Sequence, residues 1–226
     1  MKLKNPAKGA FLQRFFKTGK GEYGFGDIFL GVTVPQQRVV ASKFADLPLE
    51  DIKQMLGSKI HEFRLSGLLI LVARYRNAEQ REKKKIVQLY LNNRKLINNW
   101  DLVDSSAPYI LGDYFLNRDK ASLYKLAESK RIWDRRMAVL ATYCFIRNGN
   151  FIDTFEIAKI LLDDPHDLIH KAVGWMLREV GNRNAKEEEE FLRTHASRMP
   201  RTMLRYAMEK FPERKRKEIG CLVHRV

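Results

Sequence analysis

Cysteine is nearly missing from this chain: Cys144 and Cys221 are the only two among 226 residues. One falls in an apolar helical run and the other in the basic tail, so they build neither a disulfide framework nor a thiolate zinc site. Such usage fits a reducing cytoplasm. Long apolar runs are missing too. None approaches the roughly 18–20 residues that a membrane-spanning helix needs. The opening stretch MKLKNPAKGAFLQRFF has no apolar signal core, and the expectation is a cytoplasmic protein without membrane association. No run alternates apolar and polar residues in the manner of a strand. The patterns G-x-x-x-x-G-K-[ST], C-x-x-C and G-x-S-x-G do not occur, which removes the commonest local signatures of nucleotide, redox and serine chemistry.

Two near matches fail on physical grounds. GKGEYG at 19–24 fits G-x-G-x-x-G, but that turn cradles phosphate only between a strand and the helix it opens. Here helix-like residues precede it and more loop follows, so a turn-rich loop is expected. HDLIH puts His166 and His170 on one helix face. No third ligand stands nearby, so capping and packing roles serve them better than a metal. Neither metal nor cofactor is expected.

What the sequence has in excess is positive charge. Lys and Arg number 42 against 27 Asp and Glu, a formal +15. A surplus of that size points to a polyanion, ordinarily nucleic acid. From Pro35 onward the text is helical almost throughout. The spacing predicts helices over 35–44, 48–57, 59–76, 79–92, 99–116, 120–129, 131–147, 150–163, 165–180, 186–197 and 200–211, with a short one at 10–18. Pro108 should break the helix over 99–116. Asp164 reads as an N-cap with Pro165 in the first turn. The tail 213–226 is strongly basic and poorly periodic, and is expected to fray or to add a nonspecific phosphate contact.

The helices pair, and the pairs repeat. HEFRLSGLLILV, WDRRMAVLATYCFI, LIHKAVGWMLREV and RTMLRYAMEKF align on a basic position followed two residues later by a small one: Arg64/Ser66, Arg136/Ala138, His170/Ala172 and Arg205/Ala207. The last three lie 34 and 35 residues apart. Two helices in such a period mark an all-α solenoid of HEAT-like helix-pair repeats. One domain is expected over 1–226, with the equivalent helix of each unit lining a concave face and the repeated cations forming a basic stripe along it. A repeated charge is also what any solvated face would show.

Within this frame NNWDLVDSSAPYILG stands out, since a helix there sets Trp100 and Asp104 at i and i+4. The plain alternative is a core indole and a salt-bridged acid. Trp133 reads as a core residue. If the helices of Trp100, Asp104, Arg136 and Trp175 share one cleft, however, they supply a carboxylate, two indole faces and a guanidinium, a set suited to a cation held against a phosphate backbone.

In order along the chain, KTGKGEYGFGDIFLGVTVPQQR, HEFRLSGLLIL, INNWDLVDSSAPYILGDYF, WDRRMAVLATYCFIR, DLIHKAVGWMLREVG and MPRTMLRYAMEKFP resemble the DNA alkylation repair glycosylases of the AlkD type, over about residues 15–212. The resemblance implies removal of N3- and N7-alkylated purines, such as 3-methyladenine and 7-methylguanine, from double-stranded DNA by hydrolysis of the N-glycosidic bond. It implies Asp104, Trp100 and Trp175 as the catalytic set and a lesion that stays stacked in the duplex. It also implies a functional arginine in the W-x-R-R segment, matched to Arg136 over Arg135 by the repeat register. Arg64, His170, Lys171 and Arg205 complete the DNA-binding candidates. A monomer without an obligate protein partner suffices for such a site. The alternative on the same scaffold is a noncatalytic binder of damaged or branched DNA.

Overall fold

A computed structural model describes residues 3–221. Among them the regular structure is helical, with one isolated parallel bridge between Ile28 and Ile60 and no strand. By its internal contacts the chain forms two compact units, one up to Tyr114 and one from Phe115 on.

The first unit holds α1 (Pro6–Phe15), α2 (Val34–Ala41), α3 (Leu49–Leu56), α4 (His61–Asn77), α5 (Gln80–Asn92) and α6 (Trp100–Asp104). A three-residue turn of helix, α7 (Asp113–Phe115), lies at the boundary. Packed against α2, α3, α5 and α6, α4 is the hub. Its apolar run Leu68–Val72 is buried on nearly every side, which is how a helix with little amphipathic contrast earns its place. α1 begins at Pro6, ahead of the expected 10–18, because Asn5 caps it by accepting from the Lys8 N–H at 3.0 Å.

Pro108 interrupts the helix predicted over 99–116. α6 ends at Asp104, and a π-helical turn, Pro108–Gly112, takes over. Proline has no N–H to return to the Asp104 carbonyl, so the regular ladder cannot continue there. In the gap the Ser106 hydroxyl donates to the Leu102 carbonyl at 2.6 Å and lies 2.8 Å from the Tyr90 hydroxyl.

The second unit holds α8 (Ala121–Ala127), α9 (Ile132–Arg147), α10 (Ile152–Ile160), α11 (Asp167–Gly181), α12 (Ala185–His195), α13 (Arg201–Ala207) and α14 (Glu213–Gly220). Here the repeat is plain: α9, α11 and α13 pack side by side in one row, while α8 and α10 pair with α9 and α12 pairs with α11. Ala138, Ala172 and Ala207, the small residues of the sequence register, are all buried in that row. Trp133 is buried as expected.

Two local expectations are corrected. α11 starts at Asp167, capped by the His166 ring nitrogen, which accepts from the Leu168 N–H at 3.1 Å. Asp164 is not the cap: its carboxylate receives the Arg135 guanidinium and the N–H of His166 at 2.9 Å, which lies just outside the helix. The tail does not fray at once. Residues 213–220 form α14, with Ile219 fully buried and i,i+4 pairs Lys217–Glu213 and Arg214–Glu218 on its surface. Residues 222–226 of the tail lie outside the described residues.

Candidate functional site

The WDLVD segment is helical because Asn99 caps it, accepting from the Trp100 N–H at 2.8 Å, and Asp101 puts a negative charge in the first turn. That places Trp100 and Asp104 on one face, both half-buried. Five residues are far too few to hold a helix by themselves. The bracing comes from α4 and from the glycine-rich loop.

Three carboxylates and two cations meet there. His61 lies with Nδ1 2.9 Å from Asp27 and Nε2 2.7 Å from Asp101. Arg64 donates to the same Asp27 carboxylate through Nη2 and to the Asn98 side-chain oxygen through Nη1 at 2.6 Å. Glu62 accepts the backbone N–H groups of Leu30, Gly31 and Val32, between 2.8 and 3.3 Å. All five charged residues are buried. Burial opposes a charged His61, but the hydrogen bonds to Asp101 and Asp27 overcome it and raise the ring's pKa above the ordinary 6.5.

Above this cluster stands a column of rings. Phe29 stacks on His61 at 4.4 Å between centroids, Phe16 on Phe29 at 4.9 Å, and Trp100 on Phe16 at 5.1 Å with planes 3° apart. Phe15 meets the indole edge-on at 6.1 Å. One indole face is therefore covered from within the first unit. Gly24 lets the loop approach: a Cβ there would run into the Phe16 carbonyl and reach 3.4 Å from Asn99 Nδ2. The loop at 19–24 follows a helix and leads into the Ile28 bridge, so the phosphate-cradle setting does not form around it.

Not every site residue read from the sequence lies where the repeat register suggested. Arg64 is 5% exposed and engaged by Asp27 and Asn98. Arg136, also 5% exposed, donates to the Leu168 carbonyl across to α11. A solvated basic stripe therefore does not run through these two positions, since a guanidinium bonded inside the protein is taken up by packing. Arg135 grips Asp164 with two nitrogens and the Ser129 carbonyl with a third at 2.9 Å. Half-buried His170 bonds through Nε2 to the Asp164 carbonyl. Arg135 and His170 thus converge on Asp164, just ahead of the first turn of α11. Farther along that helix Lys171 pairs with Asp167 at 2.6 Å, and the half-buried Trp175 donates its indole N–H to Glu179 at 3.2 Å. Arg205 is exposed. Among the described residues no cluster of His, Cys, Asp and Glu is arranged to hold a metal ion.

Sequence reading missed Asp27, His61, Glu62 and Asp101. One signal was available: His61 and Arg64 are i and i+3 on one helix face, but their acids sit 34 to 40 residues away in sequence.

An all-α protein of stacked helix pairs, with a braced indole and carboxylate on a short helix, is the class these observations define. The fold is similar to that of a solved structure described as a predicted DNA alkylation repair enzyme from Enterococcus faecalis, with a TM-score of 0.71, 16% identity, and coverage of 93% of this chain and 97% of that one. No curated protein matches in sequence. The family model described as DNA alkylation repair enzyme matches residues 1–211, and the chain belongs to that family. No helix among the described residues is long and apolar enough to cross a membrane.

Proposed function

We propose that the protein is a DNA glycosylase that hydrolyses the N-glycosidic bond of cationic N3- and N7-alkylated purines in duplex DNA. The observation that carries this reading is α6, where an indole and a carboxylate share one face of a helix too short to stand alone and braced by four buried charged residues, Asp27, His61, Arg64 and Asp101.

An alkylated purine already carries positive charge and leaves readily, so no strong general acid is required. The barrier lies in the oxocarbenium-like sugar that forms as the bond breaks. Asp104 stabilises that charge and orients the attacking water. A carboxylate about 4 Å from a unit positive charge gains roughly 4 kcal/mol at an effective dielectric near 20. Counting only the charge that develops during reaction leaves a few kcal/mol, about 10²–10³ in rate. An indole face offered to a desolvated cation, as proposed for Trp100 and, by the family resemblance, for Trp175, adds on the order of 0.5–2 kcal/mol. A normal, neutral nucleotide gains little from any of them. Selection then rests on the lesion's charge, and the base stays in the stack.

For the DNA backbone we propose Lys171 and the exposed Arg205 as direct phosphate contacts. Arg135, Arg136 and His170 act by fixing the start of α11, which carries Lys171 and Trp175, and Arg64 acts by fixing α6.

The test is chromatography of bases set free from methylated duplex DNA at neutral pH. Release of 7-methylguanine or 3-methyladenine is expected from the native protein. Asp104→Asn should lower the rate by about 10²–10³ while DNA affinity stays nearly constant. Binding without release by the native protein would instead establish a noncatalytic damage binder, and equal release by the variant would remove Asp104 from its role.

A further inference from the structure

The buried cluster under α6 joins three segments distant in sequence. From the glycine-rich loop comes Asp27, from α4 come His61 and Arg64, and from the start of α6 come Asn98 and Asp101. Both ring nitrogens of His61 face a carboxylate oxygen. A neutral imidazole has one N–H and one lone pair, so it would turn a lone pair toward one of the two acids. An imidazolium donates to both, and the set then balances, with Asp27 and Asp101 against His61 and Arg64. Removing the ring proton turns a lone pair toward one of the two acids and costs that carboxylate its His61 donor, leaving Asp27 with Arg64 alone or Asp101 with the Leu102 N–H, an arrangement that drives the groups apart.

The connections close into a circuit. Asp101, bonded to His61, adjoins Trp100 in the chain, and Trp100 returns to His61 through Phe16 and Phe29. The tie Arg64–Asn98 holds the residue before the helix cap. Between α1, the loop and α4 lies a cavity of about 290 Å³ whose walls include Lys8, Phe16, Phe29, His61, Glu62 and Asp101. The aromatic column therefore has room beside it to rearrange when the cluster changes.

We propose that His61 is a positioning residue: held as an imidazolium between Asp27 and Asp101, it sets the placement of the α6 indole and carboxylate, and loss of its proton releases them. The inference rests on the glycosylase reading for its effect on rate, but not for its effect on Trp100. The charged and titratable groups facing the ring are Asp27 from the loop, Asp101 from α6 and Arg64 from α4, with Glu62 of α4 and Lys8 of α1 in the cavity wall. Burial works against the proton and the bonds to Asp101 and Asp27 retain it, so the transition falls above the ordinary histidine range. A displacement of about 1 Å in a catalytic group is enough to cost on the order of 10² in rate.

The experiment uses the full chain labelled with 5-fluorotryptophan, which gives one fluorine resonance for each of the three tryptophans, assigned by single Trp→Phe changes. Between about pH 6 and pH 9 the Trp100 resonance is expected to shift with a single midpoint above that of a free histidine. Asp101→Asn, which keeps the shape and removes one acceptor charge, should move that midpoint down. A Trp100 resonance flat with pH, or one whose midpoint ignores Asp101→Asn, overturns the proposal. This arm needs no His61 variant and no activity.

The second arm measures base release. His61→Gln is expected to slow the release step by about tenfold or more, with the DNA dissociation constant within about twofold. The alkaline fall in rate expected of the native protein should be missing from this variant. Unchanged release, with the alkaline fall intact, refutes the positioning role and leaves the glycosylase standing. If the native protein releases no base, the glycosylase reading fails, and the fluorine titration still decides the role of His61.

Discussion

At the scale of single residues, buried charges differ in how they are held. Asp27, His61, Arg64 and Asp101 bond to one another, with only the Arg64 Nε of that set left over, whereas Glu188 in the first turn of α12 is 1% exposed and its Oε1 has no hydrogen-bond partner. Burial pushes its carboxyl up to about 8, opposed only in part by Arg178. It packs against Gly181, where a Cβ would overlap the carboxyl. The unfolded chain releases this proton near the ordinary 4.5, so between that value and about 8 the folded state binds more protons. Stability therefore falls as pH rises through that window and levels off above it. The size is of order a few kcal/mol. Glu188→Gln keeps the shape without the ionisation, so its advantage over the native protein should grow from near zero at about pH 4.5 to its full size near pH 8. Urea midpoints for both proteins across that range provide the difference, and a constant difference would show that Glu188 is ionised within the fold. His61 also loses stabilising charge as pH rises, because its folded pKa is raised, but that contribution is common to both proteins and cancels. None of this could be seen in the run EEEE at 187–190, which reads as four dipole-complementing acids. Which one turns inward depends on the helix it meets.

At the scale of elements, the repeat is a device for close packing, and its glycines test that. Alanine at a helix-interior glycine ordinarily gains about 0.5–1 kcal/mol, so steric cost must exceed that to reverse the sign. On α11, a Cβ at Gly174 would strike the Met203 carbonyl and lie 2.6 Å from Tyr206 Cβ, both on α13. Backbone on both sides cannot yield without separating the helices. On α4, a Cβ at Gly67 meets Met55 Cβ at 3.2 Å and the Ile52 carbonyl at 3.6 Å, which a shift of a few tenths of an ångström relieves. Gly174→Ala is thus expected to destabilise by about 1–3 kcal/mol and Gly67→Ala to fall near zero, as read from thermal melts of each. Equal shifts would mean that the α11–α13 contact gives way as easily as the α3–α4 contact. Most helices were legible because periodicity and caps lie within one stretch of chain: 131–147 was expected and Ile132–Arg147 is found, 79–92 and Gln80–Asn92. Misses arose where a local signal competed with tertiary contacts. Asp164 looked like a cap, but it is shared between Arg135, 29 residues earlier, and the His166 N–H, and the cap falls on His166 itself. α14 hid in a charge run whose i,i+4 pairs and buried Ile219 were the readable clue.

At the scale of the whole molecule, Trp100 and Asp104 were legible because they are four residues apart on one helix, while the cluster that braces them was not, because no periodicity links Asp27, His61 and Asp101. Net charge needs no structure at all, and it carries the last prediction. A chain of formal charge +15 approaching a polyanion gains most of its affinity by releasing condensed counterions, so the logarithm of the binding constant falls linearly with the logarithm of salt, at about −0.9 per phosphate neutralised. That contribution belongs to the backbone and takes no account of the lesion. Recognition as proposed for Asp104 and Trp100 acts on the charge of one base and sugar, releasing few ions. Duplexes with and without an alkylated purine should therefore give parallel salt lines, offset vertically. Lys171→Ala should flatten both lines by about one phosphate's worth; its pairing with Asp167 is a surface contact worth little in itself. Asp104→Asn should leave both slopes untouched. Fluorescence anisotropy with labelled duplexes from about 50 to 200 mM salt measures all six lines. Converging lines for damaged and undamaged DNA would mean that lesion recognition draws on additional phosphate contacts, and would shift the origin of specificity from the base's charge to a change in the shape of the duplex.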